Sequence, residues 1–153
     1  MRLLVSRPHS EKELREKLAS RGHIETDIDS VIARLMELRY IDDQDLCPRH
    51  AENRLNKANV GPARMRAELA RKGFGEALIE KTVDELYSGD HNEHSTAIRA
   101  ARKKLRTFKP GLDTRAGMHK LYDHLTRKGF SMETARKVAL DEYESLMESS
   151  RES

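Results

Sequence analysis

The sequence predicts an all-α protein, an elongated tandem array of three three-helix repeats with the first helix of repeat one truncated. Three observations predict it. One pattern is written three times: Leu14, Leu18 and Gly22 before Ile24, Ile28, Val31, Ile32, Leu35 and Leu38; Met65, Leu69 and Gly73 before Leu78, Ile79, Val83 and Leu86; and Leu121, Leu125 and Gly129 before Phe130, Ala135, Val138 and Leu146. Apolar residues four apart stack on one helix face, and a glycine behind them ends the helix in a left-handed conformation that other residues resist. Each copy therefore reads helix, tight turn, helix. The turn glycines recur at intervals of 51 residues (22 to 73) and 56 residues (73 to 129), which leaves room for one more helix per unit. Finally, 37% hydrophobic and 36% charged residues, with 5% aromatics and no Trp, describe narrow apolar stripes that lean on neighbouring units.

In chain order, Leu3, Leu4 and Val5 read as the last turn of a helix whose start is absent, ended by Pro8. Ser10 with Glu13 is a capping-box signature for the helix that carries Leu14 and Leu18. The next helix is expected from about Thr26 to Leu38, and Tyr40-Ile41-Asp42-Asp43 leads into the first helix of the second unit. That helix is the weakest: Pro48 lies within it, Leu46, Ala51 and Leu55 suggest its only stripe, and its start is expected to be irregular. Pro62 occupies a first helical position, where a missing N–H costs little. Ser88 to His94 reads as a polar linker, Thr96 to Leu105 as a helix, and Phe108-Lys109-Pro110-Gly111 as a turn. The expected division is a repeat at 1–42, a repeat at 43–88, a linker at 89–95, a repeat at 96–148 and a frayed tail at 149–153.

Nothing in the chain points to catalysis or to a cofactor. The glycine-rich nucleotide cradles and the hydrolase elbow have no counterpart, and the carboxylates are scattered along solvated faces. Cys47 and His50 are three apart, as are His91 and His94, a set that would suit zinc; both pairs flank stretches read as irregular and exposed, so no metal site is assigned. A single Cys excludes an internal disulfide framework. No segment approaches the ~18 apolar residues of a membrane span, and the first seven residues are too short for a signal peptide. A monomer in the cytoplasm is expected, without membrane contact.

The basic residues carry more information. Arg64, Arg66, Arg71 and Lys72 crowd one helix against Glu68, and Arg99, Arg102, Lys103, Lys104, Arg106 and Lys109 crowd another. These are candidate phosphate or acidic-surface contacts, although the net charge is only +3. Helical spacing puts Arg64 and Arg71 on nearly one face and turns Arg66 away from Arg71. A helix after a Gly turn could also read DNA bases, but the helix after Gly73 carries Glu76, Glu80, Asp84 and Glu85, and the one after Gly22 carries Glu25, Asp27, Asp29 and Glu37. Phosphates would repel both.

Tyr40-Ile41-Asp42-Asp43, Gly61-Pro62-Ala63-Arg64-Met65, Glu68-Leu69, Lys72-Gly73-Phe74 and the run Ser10 to Leu18 together resemble RecX, the bacterial regulator of the RecA recombinase. The resemblance covers nearly the whole chain and is most specific at the Asp-Asp step and the Gly-Pro-Ala-Arg run. It implies three tandem three-helix repeats, no enzymatic activity, and binding along the groove of the RecA–DNA filament to restrain ATP hydrolysis, strand exchange and co-protease function. The partner and DNA contacts are then expected at Arg64, Arg71, Lys72, Arg99, Arg102, Lys103, Lys104 and Arg106, with DNA held without sequence preference. The chain departs from the family pattern at Arg39, where a glycine is common, and at Pro48, where a small or apolar residue is usual. The alternative reading is a sequence-nonspecific nucleic-acid-binding protein without a protein partner.

Overall fold

A computed structural model of the chain describes residues 8–89, 91–108 and 113–151. Among these residues there are eight helices and no strand: α1 (Glu11–Ser20), α2 (Glu25–Glu37), α3 (Asp43–Ala58), α4 (Pro62–Arg71), α5 (Glu76–Leu86), α6 (Glu93–Leu105), α7 (Thr114–Arg127) and α8 (Met132–Arg151). They pack as three units in tandem, each around its own small core. Leu14, Ile28, Ile32 and Ile41 make the first core. The second gathers Cys47, Leu55, Met65, Leu69, Phe74, Ile79 and Val83 between α3, α4 and α5. In the third, Ala97, Ala100 and Ala101 of α6 meet Leu121, Leu125, Phe130 and Val138. The expected helical turn at Leu3 to Val5 and the expected turn at Lys109 to Gly111 lie outside the described residues.

Gly22, Gly73 and Gly129 all have positive φ, at 84°, 88° and 87°. In each turn the glycine N–H donates back to the residue three before it, and the following residue donates five back, so the last carbonyls of the helix are satisfied. Arg39 also has positive φ, 56°, at the end of α2. A glycine at that position would reach the conformation without Cβ strain, which is the physical content of the departure noted there.

The units are joined by one device used twice. The start of α4 docks on the unit-three turn: the Gly61 N–H donates to the Lys128 carbonyl at 2.8 Å and the Ala63 N–H to the Gly129 carbonyl at 3.1 Å. Pro62, between them, has no N–H to place. A Cβ on Gly61 would overlap the backbone of Gly129, and one on Gly129 would overlap Arg64, so both glycines are needed for this approach. The start of α1 docks likewise on the unit-two turn. Ser10 donates from its hydroxyl to the Lys72 carbonyl while accepting from the Glu13 N–H, and Lys12 covers Gly73. Asp43 strengthens this joint by accepting from the Glu11 N–H at 3.2 Å, and Asp42 caps α3 through the Asp45 N–H. The Asp-Asp step thus serves two helix N-termini, where carboxylates are favoured by both hydrogen bonding and the helix dipole.

Four expectations are corrected. The start of α3 is regular through Pro48, because the Asp42 cap secures the first turn, a proline early in a helix forfeits one hydrogen bond, and Cys47, Ala51 and Leu55 hold the buried face. Cys47, read as exposed, is fully buried and accepts from the Thr82 hydroxyl at 3.5 Å. Helix α6 starts at Glu93, within the expected linker, because Asn92 caps it through the Ser95 N–H at 2.8 Å. Helix α8 continues to Arg151 in place of a frayed tail from Ser149, whose hydroxyl donates to the Ser145 carbonyl.

The turns differ in what surrounds them, and their variants should differ accordingly. Nothing lies within 4 Å of a Cβ placed on Gly22. Gly22→Ala therefore carries backbone strain alone and should cost about 1–2 kcal/mol. Gly129→Ala adds overlap with Arg64 and should cost roughly 1–3 kcal/mol more, as overpacking does. Chemical denaturation of both variants checks this, and equal losses would mean that the joint is looser than its hydrogen bonds imply. In the opposite direction, Arg39→Gly should stabilise the chain by about 1 kcal/mol.

Candidate nucleic-acid interface

The joint between units two and three gathers cations from four helices. Arg54 of α3 grips Glu68 of α4 with two guanidinium nitrogens, one at 2.9 Å, and Arg64 reaches the same carboxylate at 2.9 Å. Glu68 is 13% exposed, and the Arg54 hydrogen bonds, with help from Arg64, hold its carboxyl at about 2 against the opposing effect of burial. Arg64 also donates to the Arg127 carbonyl at 3.4 Å. Lys128 donates to the Ala58 carbonyl; burial lowers its pKa first, and the charges of Arg64, Lys103 and Arg54 lower it further. His124 is held at about 4 by burial and then by Lys128, Lys104 and Arg127. One carboxylate thus faces two arginines, and more cations surround them. The junction is therefore a local excess of positive charge.

Of the residues singled out in the sequence, the fold brings Arg64, Lys103 and Lys104 to this junction. Lys104 also lies 5.9 Å from the centre of the Phe108 ring. Arg71 and Lys72 sit at the other end of α4, where Lys72 pairs with Glu13 at 3.6 Å and Arg71 is exposed. Arg99 faces Asn59, His91 and Thr96, and Arg102 is held by both oxygens of Glu142, at 2.8 and 3.1 Å. Arg106 caps the end of α6. Arg66 points elsewhere, pairing with Glu80 and Asp84. Sequence reasoning missed Arg54, His124, Arg127 and Lys128. A signal for two of them was present, because Arg-Lys-Gly-Phe occurs at 71–74 and again at 127–130. Among the described residues no group of three His, Cys, Asp or Glu side chains could hold a metal ion, and no helix is long and apolar enough to cross a membrane.

Glu68 and His124 both contribute to the acid response. Glu68, lowered from 4.5 to about 2, stabilises the fold fully above the unfolded value and loses that contribution as pH falls toward 2. His124, lowered from 6.5 to about 4, resists a proton that the unfolded chain accepts, so stability falls as pH drops from 6.5 to 4. Glu68→Gln should cost about 2 kcal/mol at neutral pH, with the gap to the parent narrowing below pH 4.5. His124→Gln should flatten the stability profile between pH 6.5 and 4. Urea midpoints measured across this range check both.

Residues 1–35 match the family description of the first three-helix domain of RecX, and residues 92–139 match that of its third. The regulatory protein RecX of Chlorobium phaeobacteroides (strain BS1) is 34% identical over 138 residues, covering 90% of this chain and 87% of that one. The RecX of Mycobacterium sp. (strain JLS) is 32% identical over 142 residues, covering 90% and 76%. The chain spans half the length of the RecX of Geobacillus thermodenitrificans (strain NG80-2), at 32% identity over 138 residues. The crystal structure of RecX from Lactobacillus salivarius shares the fold with a TM-score of 0.74 at 22% sequence identity, covering 92% of this chain and 89% of that one. By sequence and by fold, the chain belongs to the RecX family of regulatory proteins.

Proposed function

We propose that this chain is a non-catalytic regulator that binds the RecA–DNA filament and restrains its ATPase, strand exchange and co-protease activities. The observation that carries the reading is the crowding of Arg54, Arg64, Lys103, Lys104, Arg127 and Lys128 at the joint of units two and three, around the Glu68 carboxylate. A phosphate backbone relieves that repulsion and releases its own counterions, which supplies affinity without sequence preference. The tandem array supplies the rest: units fixed by backbone hydrogen bonds present a surface that can run along several protomers of a filament. Family membership supports the regulatory role, and the RecA partner follows from it as a proposal for this chain. Its place is the cytoplasm, where recombination and the SOS response operate.

Lys103 and Lys104 make no ion pair among the described residues, so reversing them leaves no carboxylate stranded. Lys103→Glu with Lys104→Glu should weaken binding to single- and double-stranded DNA and lower the salt slope by about one unit per lost contact. Glu76→Lys, on an acidic helix, should leave DNA binding undiminished. The decisive measurement is DNA-dependent ATP hydrolysis by RecA in the presence of substoichiometric amounts of the purified chain. Inhibition that persists at salt concentrations where DNA binding alone has failed supports a protein contact. No inhibition, beside DNA binding that falls log-linearly with salt, would leave a plain nucleic-acid-binding protein instead.

A further inference from the structure

Counted from their turn glycines, the three units carry one seam between the helix before the turn and the helix after it. Seven residues before the glycine stand Arg15, Arg66 and Tyr122; seven after it stand Asp29, Glu80 and Arg136. In unit one, Arg15 bridges to Asp29 at 2.5 Å, and in unit two Arg66 bridges to Glu80 at 2.9 Å and Asp84 at 3.4 Å. Both seams are closed by an arginine on carboxylates. In unit three the arginine has become Tyr122, the first carboxylate has become Arg136, and the position of Asp84 is Leu140.

Between α7 and α8 lies a groove of about 320 Å³, lined by Met118, Tyr122, Ala139 and Leu140 together with Arg115, Arg136 and His119, the last paired with Asp123 at 3.1 Å. The apolar lining continues along α8 through Met132, 72% exposed, to Leu140, 41% exposed, with Lys137 beside it. Arg115, Arg136 and Lys137 make no ion pair among the described residues, and Glu133 is the one acidic side chain that lines this stretch. Exposed apolar side chains in a contiguous run mark contact sites, and arginine on the rim selects a carboxylate by paired hydrogen bonds. The sister seams show the same choice, since the group that closes each of them is a carboxylate.

We propose that the α7–α8 seam of unit three is a docking groove for an acidic segment of a partner protein, one that sets apolar side chains against Tyr122 and Leu140 and a carboxylate against Arg136. This inference does not depend on filament or DNA binding at the joint, because the groove and the junction use different side chains. The test is fluorescence anisotropy of the full chain with a labelled amphipathic peptide of about four helical turns built from Glu, Leu and Phe, beside its counterpart in which every Glu is Lys. The acidic peptide should bind and the basic one should not. Arg136→Glu should weaken binding about tenfold or more, and Lys103→Glu should not. Tyr122→Arg combined with Arg136→Glu rebuilds the closed seam of unit two and should abolish binding while helical circular dichroism is unchanged. Equal binding of both peptides, or indifference to Arg136→Glu, would overturn the proposal. So would displacement of the peptide by a DNA oligonucleotide bound through Arg136, or self-association of the chain that Arg136→Glu abolishes.

Discussion

The architecture depends on a helix start placed against a helix stop. A helix begins with N–H groups that have no partner in the helix, and a left-handed glycine turn ends one with carbonyls that face outward. At Gly61 and Gly129 these two needs are met by each other, and the opposed ends of two helix dipoles add to the attraction. The same economy holds at Ser10 and Lys72, where a hydroxyl takes the place of a backbone donor. Because the contact is between backbones, it fixes distance and angle closely. It also explains why glycine is needed on both sides of one joint, whereas among the described residues nothing lies within 4 Å of a Cβ on Gly22.

That joint is also what creates the charged junction. Docking α4 on the turn after α7 brings Arg64 beside Arg127 and Lys128, and Arg54 reaches in from α3. Like charges so gathered oppose folding, and Glu68 offsets part of that cost by serving both arginines at once. Burial first, and then the neighbouring cations, disfavour the protonated forms of Lys128 and His124. The hydrogen bonds that join the units thus also fix where these cations stand.

Much of the fold was legible because it is local. Leucines four apart, a glycine after them and a cap before them are all within one helix and its turn, and they located the turn glycines that the structure places at positive φ. The errors came partly from caps that are themselves local, since Asp42 accepts from Asp45 and Asn92 from Ser95, each three residues on. Pro48 looked disruptive until Asp42 and the buried Cys47 held its helix, and the linker shortened because Asn92 starts α6. The site was less legible for a different reason. Arg54 and Glu68 are 14 residues apart, Arg102 and Glu142 are 40 apart, and Arg64 and Arg127 are 63 apart, so no helical period reveals them. A cluster of cations in sequence thus divided into Lys103, which reaches the junction, and Arg102, which is spent on an ion pair one residue away.

Repeats joined through their backbones are free to change their faces. The joint asks for a donor at the start of one helix and a carbonyl at the end of another, and it is indifferent to the side chains seven residues to either side. Units one and two kept an arginine–carboxylate bridge across that seam, which closes it to other molecules. Unit three exchanged both partners, and its core compensates at a different level. Gly117 lets the Tyr143 ring lie directly on α7, and Ala97, Ala100 and Ala101 let α6 approach α8 closely. Tyr122 and Ala139 still pack on the core from this side, while Leu140 and Arg136 are exposed. A repeat that is held by its core and its joint can change such a surface, and here the copies differ in charge and in apolar character: Arg15 and Asp29, and Arg66 and Glu80, stand where unit three has Tyr122 and Arg136.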